Sequence, residues 1–247
     1  MPLIPRIASP PSSHFLPPLH SSPKTAVSPS NAAFVLFTSG STGTPKGLVQ
    51  QHSSVCSVNA AYHDSLFLNH SSRVLNFAAY TFDVSTVDVF ATLSLGGCVC
   101  IPSEAERLND LEGAIQRFNV TWIDLTPSFA VASIPDPRRV PSLQTLVLAG
   151  EPLQPHHAAH FVGRVPRVIN CYGPAEAGGC LAQICEAGDA APAVGRAMPS
   201  ARCWVVDVRD ARRLASVGAV GELVVEGPTL ARGYLGLEDK TKAAALL

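Results

Sequence analysis

Residues 37–47 read FTSGSTGTPKG, a run too polar and too rich in glycine to belong to a core. Gly40, Gly43 and Gly47 permit backbone angles and close approaches that a Cβ would forbid. Thr38, Ser39, Ser41, Thr42 and Thr44 place hydroxyl donors beside exposed amides, and Lys46 adds the only full charge. Together these groups suit a loop that closes over an anion, of which a polyphosphate is the obvious case. A solvent-exposed Gly/Ser linker is the competing reading. The apolar run at 33–37 reads as a buried strand feeding the loop. The pattern G-x-x-x-x-G-K-[ST] is excluded by spacing, because Lys46 follows Pro45 and precedes Gly47.

Upstream of this loop, residues 1–30 hold eight prolines and seven serines without periodicity. Such a composition cannot bury enough surface to offset the entropy of ordering, which predicts a disordered leader. From residue 31 short apolar runs alternate with amphipathic stretches: a strand at 33–37, a helix near 53–66, a strand at 74–79 and a helix after Phe82. Ser85 and Asp88 fit an S-x-x-D capping box, with Val84, Val87, Ala91 and Leu95 on one stripe and Gly96-Gly97 as the stop. Leu108, Leu111, Ile115 and Phe118 sit at the spacing of a second helix. Strands follow at 120–125, 143–148 and 165–170, the last two ending at Ala149-Gly150-Glu151 and Cys171-Tyr172-Gly173-Pro174. Ligands sit at such carboxyl ends. After residue 201, strands at 203–208 and 221–226 have no helix between them. The predicted fold class is therefore α/β, layered sheets with helices over 31–200, plus a small antiparallel β-subdomain over 201–247.

Composition narrows the function classes. With 47% apolar residues and 18 basic against 19 acidic side chains, the chain can build a core and has no electrostatic footprint for nucleic acid or an anionic membrane. Seven cysteines without a C-x-x-C disfavour a disulfide framework and a zinc site, and a cytoplasmic location fits best. Apolar runs break well before the length of a membrane span.

Four segments in order, FTSGSTGTPKG (37–47), FAAYTFDVS (77–85), NCYGPAE (170–176) and GELVVEGPTLARGYLG (221–236), resemble the adenylate-forming superfamily. The similarity is greatest to adenylation domains of fungal-type nonribosomal peptide synthetases. It implies activation of a carboxylate by attack on the α-phosphate of ATP, with Mg²⁺ as cofactor, an amino acid as substrate and the phosphopantetheine thiol of a carrier protein as acceptor. It gives Lys46 and Glu176 the catalytic roles, Lys46 in the phosphate loop and Glu176 on Mg²⁺. Residues Thr38, Ser39, Gly40, Ser41, Thr42, Gly43, Gly150, Glu151 and Gly173 are placed on the nucleotide, Tyr172 flat on the adenine and Asn170 near its amino edge. Ala175 stands where the superfamily commonly has threonine. The resemblance pairs Asp83 with the substrate amino group, and an acid flanked by Phe82 and Val84 needs a cation or a raised pKa. Capping of the following helix, or an arginine partner, is the alternative for Asp83. The side-chain pocket implied by the resemblance is lined by Val84, Val87, Asp124, Val147, Ala149, Cys171, Gly179 and Cys180. Its second acid, Asp124, points either to a substrate with a donor group or to a cap on the next turn.

Other residues carry less. His156, His157 and His160 follow Pro155 on a helix that reads as solvated, and no H-E-x-x-H occurs. Arg232 reads as a structural ion-pair or turn residue. The superfamily's later Thr-Gly-Asp segment and C-terminal lysine do not fall within residues 1–247, so an incomplete adenylation domain with little turnover alone is expected. Two other readings stand beside it: an acyl- or aryl-CoA ligase or carboxylate reductase fragment, and a non-catalytic nucleotide-binding remnant.

Overall fold

The computed structural model describes residues 25–38, 45–189 and 193–244. Strands β1 (Ala32–Thr38) and β2 (Lys46–Gln51) form an antiparallel hairpin that leads into helix α1 (His52–Leu66). The chain then runs through β3 (Arg73–Leu75), α2 (Asp83–Ser94), β4 (Cys98–Cys100), α3 (Glu104–Asn109), α4 (Leu111–Phe118) and β5 (Trp122–Leu125). Next come α5 (Pro127–Ser133), β6 (Thr145–Leu148), α6 (Pro155–Phe161), β7 (Arg167–Tyr172), β8 (Leu181–Ile184) and β9 (Arg196–Ala197). Strands β10 (Arg202–Asp207), β11 (Asp210–Leu214), β12 (Glu222–Glu226) and β13 (Gly233–Tyr234) precede helix α7 (Glu238–Ala244).

The central sheet has the order β4-β3-β5-β6-β7-β8-β9; β3 to β7 are parallel to their neighbours, and β8 and β9 run antiparallel. Helices cover both faces, so its strands read as continuous apolar runs. The period of two sorts each strand between two cores. Trp122, Val147, Ile169 and Cys171 join Ala61, Tyr62, Leu66 and Ala91 of α1 and α2. Ile123, Leu125, Leu146, Leu148 and Val168 join Leu111, Ile115, Ala130, Ile134 and Phe161 of α4, α5 and α6. The Trp122 indole N–H donates to the Leu66 carbonyl at the end of α1 at 2.9 Å, satisfying the one polar atom of a fully buried ring. The predicted α/β layering and the antiparallel β10–β12 unit are thus observed, the latter with β11 added.

Local details depart from expectation. The run 33–37 is not a buried strand: only Leu36 is buried, and Phe37 is 65% exposed. It is an edge strand of a separate sheet of order β1-β2-β13, because it pairs with β2 rather than entering the parallel sheet. The strand expected at 74–79 stops at Leu75. Ser85 and Asp88 form no capping box. Helix α2 starts at Asp83, the Ser85 hydroxyl donates to the Phe82 carbonyl, and Asp88 turns inward beside Asn76. A capping box is formed instead by Ser103 with Glu106, at the start of α3. The helix expected through Leu108 and Phe118 breaks at Asp110, which caps α4 through the Gly113 N–H, and Leu108 is exposed. His157 is not solvated; it is buried and its Nδ1 accepts from the Gln154 N–H at 3.2 Å. The stop at Gly96 holds, with a φ of 78° that favours glycine. Of the leader, residues 1–24 lie outside the described residues.

Asp88 is a poorly compensated acid of this core. Its Oδ2 accepts from Asn76 Nδ2 at 3.4 Å, and its Oδ1 has no partner among the described residues. Burial pushes its carboxyl up to about 8. An unfolded aspartate titrates near ~3.9, so across the window from there to pH 8 the folded state holds a proton that the unfolded chain has lost. Stability therefore falls as pH rises through that window. Asp88→Asn removes this dependence, and urea denaturation at pH 5, 6.5 and 8 should show a variant whose curve is flatter and which is more stable than wild type at pH 8 by on the order of 2 kcal/mol. A wild-type stability that rises from pH 5 to 8 by more than the variant's would contradict this account of Asp88.

Candidate functional site

The carboxyl ends of β5, β6 and β7 open on one side of the parallel sheet, and several of the residues singled out from sequence line cavities there. A cavity of ≈130 Å³ lies under α1 and α2 and receives Asp83, Val84, Val87, Asp124, Ala149, Cys171 and Gly179. A second, of ≈460 Å³, is lined by Gly150, Glu151, Asn170, Tyr172 and Gly173. Gly150, Cys171 and Gly173 border both, so the two spaces adjoin at the ends of β6 and β7. Val147 and Cys180 do not line the first cavity. Val147 is wholly buried in the core behind it, and Cys180 packs toward β10 with its thiol 3.4 Å from the Tyr172 carbonyl.

The smaller cavity is acidic. Asp83 is the first residue of α2, and its Oδ1 accepts from the adjacent Val84 N–H at 3.0 Å; no arginine meets it among the described residues. Burial raises its pKa, and the nearby Glu176 carboxylate raises it further against the lowering effect of the Val84 N–H. Asp124 is 5% exposed and accepts no hydrogen bond from the described residues. It caps nothing, since α5 starts after Thr126 without a side-chain cap. Burial, then Asp88 and Asp83, push its carboxyl well above the usual range. The sequence reading missed Tyr62, Val58 and Asn59, which α1 brings over the cavity. The Tyr62 phenol is pushed up by burial, then by Cys171 and Asp124. Only the pairing of α1 with the end of β7 reveals these three.

The larger cavity presents an open platform. Tyr172 is 42% exposed, while Asn170 is buried and donates its Nδ2 to the Ala193 carbonyl at 2.8 Å. Glu151 accepts from the Ser128 N–H, and hydrogen bonding to Ser128 holds its carboxyl below the usual range. Gly150 has a φ of 84°, a conformation a side chain would strain.

The phosphate-loop candidates Ser39, Gly40, Ser41, Thr42 and Gly43 lie outside the described residues. Their flanks are described: Thr38 pairs with Lys46 across the β1–β2 ladder. Lys46 Nζ stands 5.3 Å from the centroid of the Tyr234 ring, and the Tyr234 hydroxyl donates to Glu176 Oε1. Tyr234, which the sequence reading did not assign, thus links the two residues given catalytic roles. Burial and the Glu176 hydrogen bond push its phenol up to about 12. Hydrogen bonds to backbone carbonyls hold this junction together: Leu235 N–H to Gly47 O at 2.7 Å, Ala231 N–H to Glu176 O at 2.8 Å and the Gln50 side-chain Nε2 to Ala175 O at 3.0 Å. Arg232 serves the same seam, donating to Gln51 Oε1 at 3.4 Å and to the Ser30 carbonyl, rather than forming an ion pair.

Glu176 suits Mg²⁺ of one kind. One oxygen is taken by Tyr234, and among the described residues no cluster of three or more His, Cys, Asp or Glu could enclose a metal. A single carboxylate fits an ion that draws its remaining ligands from phosphates and water.

Gly173 is the structural pivot of both cavities, since a Cβ there would collide with the Gly178 carbonyl and lie 2.9 Å from the Gly179 Cα. Gly173→Ala must displace the 178–179 turn, and denaturant melts should record a loss of roughly 2–4 kcal/mol. An unperturbed melt with both cavities still able to bind ligand would refute the pivot.

Residues 5–235 match the family described as AMP-binding enzyme. The chain is 47% identical over 224 residues to N-benzoylphenylalaninol synthetase apmA of Penicillium brevicompactum, covering 90% of this chain and 9% of that protein. It is 44% identical over 230 residues to nonribosomal peptide synthetase 4 of Gibberella zeae, covering 90% of this chain and 3% of that one. The chain therefore spans less than a tenth of the length of these two relatives. Among solved structures, the nonribosomal peptide synthetase FmoA3 in its AMPPNP-bound form superposes with a TM-score of 0.77 at 27% identity, over 87% of this chain and 24% of that one. CmiS6 superposes at 0.79 with 22% identity, over 90% and 55%, a likeness of fold alone. On this evidence the chain belongs to the AMP-binding enzyme family, as a counterpart of the adenylate-forming region of fungal nonribosomal peptide synthetases.

Proposed function

We propose that the chain binds Mg²⁺-ATP and an α-amino acid, and joins the amino acid's carboxylate to the α-phosphate as an aminoacyl-adenylate with release of pyrophosphate. The observation that carries this reading is the adjacency of the two cavities across Gly150, Cys171 and Gly173. An amino acid held in the smaller one directs its carboxylate toward a nucleotide in the larger one, which is the orientation an in-line attack requires. Tyr172 and Gly173 supply the adenine platform. Lys46, fixed over Tyr234 at the foot of the hairpin, brings a cation to the phosphates as negative charge moves to the leaving pyrophosphate. Glu176, oriented by the Tyr234 hydroxyl, holds Mg²⁺ beside them. When bound, that ion would neutralise phosphate charge and orient the triphosphate. The AMPPNP in a structural neighbour supports the choice of nucleotide. In the full-length protein the acyl group would pass to the thiol of a carrier protein. The leader at 1–30, the core at 31–200 and the β-subdomain at 201–247 are the domain division that accompanies this proposal.

Asp83 decides between amino acids and plain acids. A bound α-ammonium would satisfy a carboxylate that otherwise has only one backbone N–H. Isothermal titration in the presence of AMPPNP and Mg²⁺ should find α-amino acids binding and their amine-free counterparts binding weakly. Asp83→Asn should lower amino-acid affinity roughly 10–100-fold, allowing for the partial exposure of the site, and leave the amine-free acids unchanged. Preferential binding of an amine-free acid, with Asp83→Asn silent, would replace the proposal with an acyl- or aryl-CoA ligase or carboxylate reductase. AMPPNP binding with no carboxylate ligand at all would leave a nucleotide-binding remnant.

For the nucleotide, Tyr234→Ala removes both the support of Lys46 and the orientation of Glu176, whereas Tyr234→Phe removes only the second. Mg²⁺-AMPPNP affinity should fall roughly tenfold in the first and by a smaller factor in the second. Wild-type affinity in both variants would show that the Lys46–Tyr234–Glu176 junction plays no part in nucleotide binding.

A further inference from the structure

The smaller cavity carries one acid more than an α-amino acid can use. Asp83 and Asp124 both line it, and no lysine or arginine does among the described residues. Asp83 stands at the start of α2 on the cavity's margin, half-buried. Asp124 is in β5, where all four residues are buried, and it faces the cavity in the same register row as Val147 of β6. It meets no hydrogen-bond donor and no cation among the described residues. The groups within electrostatic reach of it are Asp88, Asp83, Tyr62 and Cys171, none of them basic. A carboxyl group in this position gains nothing from the fold, and β5 would pack as well with an apolar residue there. Burial disfavours its charged form while no cation faces it. Beside the two carboxyls, Val58, Val84, Val87 and Ala149 give the cavity apolar wall.

We propose that the amino acid taken by this cavity is a short-chain diamino acid, whose side-chain ammonium pairs with Asp124 while its α-ammonium pairs with Asp83. The inference rests on the α-amino-acid reading above and narrows it. Two cations then meet two carboxylates, and the methylenes of the side chain lie against the valines, as aminoalkyl chains do when only their ends are charged. Size points the same way. The cavity of ≈130 Å³ is close to the ~150 Å³ that accommodates benzene in an engineered protein core, which favours a side chain of a few heavy atoms over an indole or a guanidinium.

The test is titration of residues 1–247, loaded with AMPPNP and Mg²⁺, with ornithine, 2,4-diaminobutyrate and norvaline, which has ornithine's carbon skeleton without the side-chain amine. At least one diamino acid should bind roughly tenfold or more tightly than norvaline. Asp124→Asn should erase that preference, and Asp83→Asn should weaken the diamino acid and norvaline alike. The wild-type comparison needs no variant, so the inference stays testable if Asp124→Asn does not fold. Norvaline binding as tightly as both diamino acids, or a preference that survives in Asp124→Asn, overturns the inference and leaves the α-amino-acid reading standing. Binding of none of the three by protein that still binds AMPPNP overturns the inference, and the α-amino-acid reading falls with it when no other α-amino acid binds either.

Discussion

Burial of the parallel sheet on both faces is the constraint from which the rest follows. Strands β5, β6 and β7 carry helices on each side, so alternate residues such as Trp122 and Ile123, or Val147 and Leu148, must be apolar on both. A strand under that constraint has no solvated face on which to place a polar side chain. Buried Asp124 and Asn170 lie toward the carboxyl ends of their strands, and Gly150 and Gly173 follow β6 and β7. The chemistry of the molecule is therefore confined to one edge by packing before any ligand is considered.

A second sheet closes that edge. Strands β1 and β2 belong to a different sheet from the core, and β13 reaches them from nearly two hundred residues later in the chain. The hydrogen bonds of Leu235 with Gly47, Ala231 with Glu176 and Gln50 with Ala175 tie three distant segments into one seam. Tyr234 lies in it and touches a cation with its ring and a carboxylate with its hydroxyl. A phenol can do both because its ring face and its O–H point in different directions. Rigid placement of opposite charges in such a seam is the preorganisation that a phosphate site requires.

The acids beneath α1 and α2 have the opposite character. Asp83, Asp88 and Asp124 are brought near one another without a basic neighbour among the described residues, and burial raises all three. Their destabilising effect on the folded chain is tolerable because the surrounding strands and helices are fully packed, with Trp122, Leu66 and Val147 essentially inaccessible. Uncompensated polarity at a functional edge, supported by an over-determined core, is how folds retain groups that serve a ligand rather than the fold.

Much of this was legible in residue order alone. Periodicity located α1, α2 and strands β5, β6 and β7 to within a few residues, because two-sided burial and amphipathic stripes are written into local sequence. Four motifs in order identified the family, since glycines, a lysine and carboxylates at those spacings have few other uses. What local sequence could not determine was partnership. Phe37 belongs to an exposed edge strand, Asp88 turns inward rather than capping, Leu108 falls outside its helix stripe, and Tyr62 roofs a cavity whose other walls are spread along the chain from Asp83 to Gly179. The sequence by itself determined where the parallel strands and amphipathic helices run and that glycine ends α2, both properties of near neighbours. Only the tertiary structure decided which buried acid lacks a cation and which tyrosine joins Lys46 to Glu176, because those depend on contacts between segments that chain order leaves unrelated.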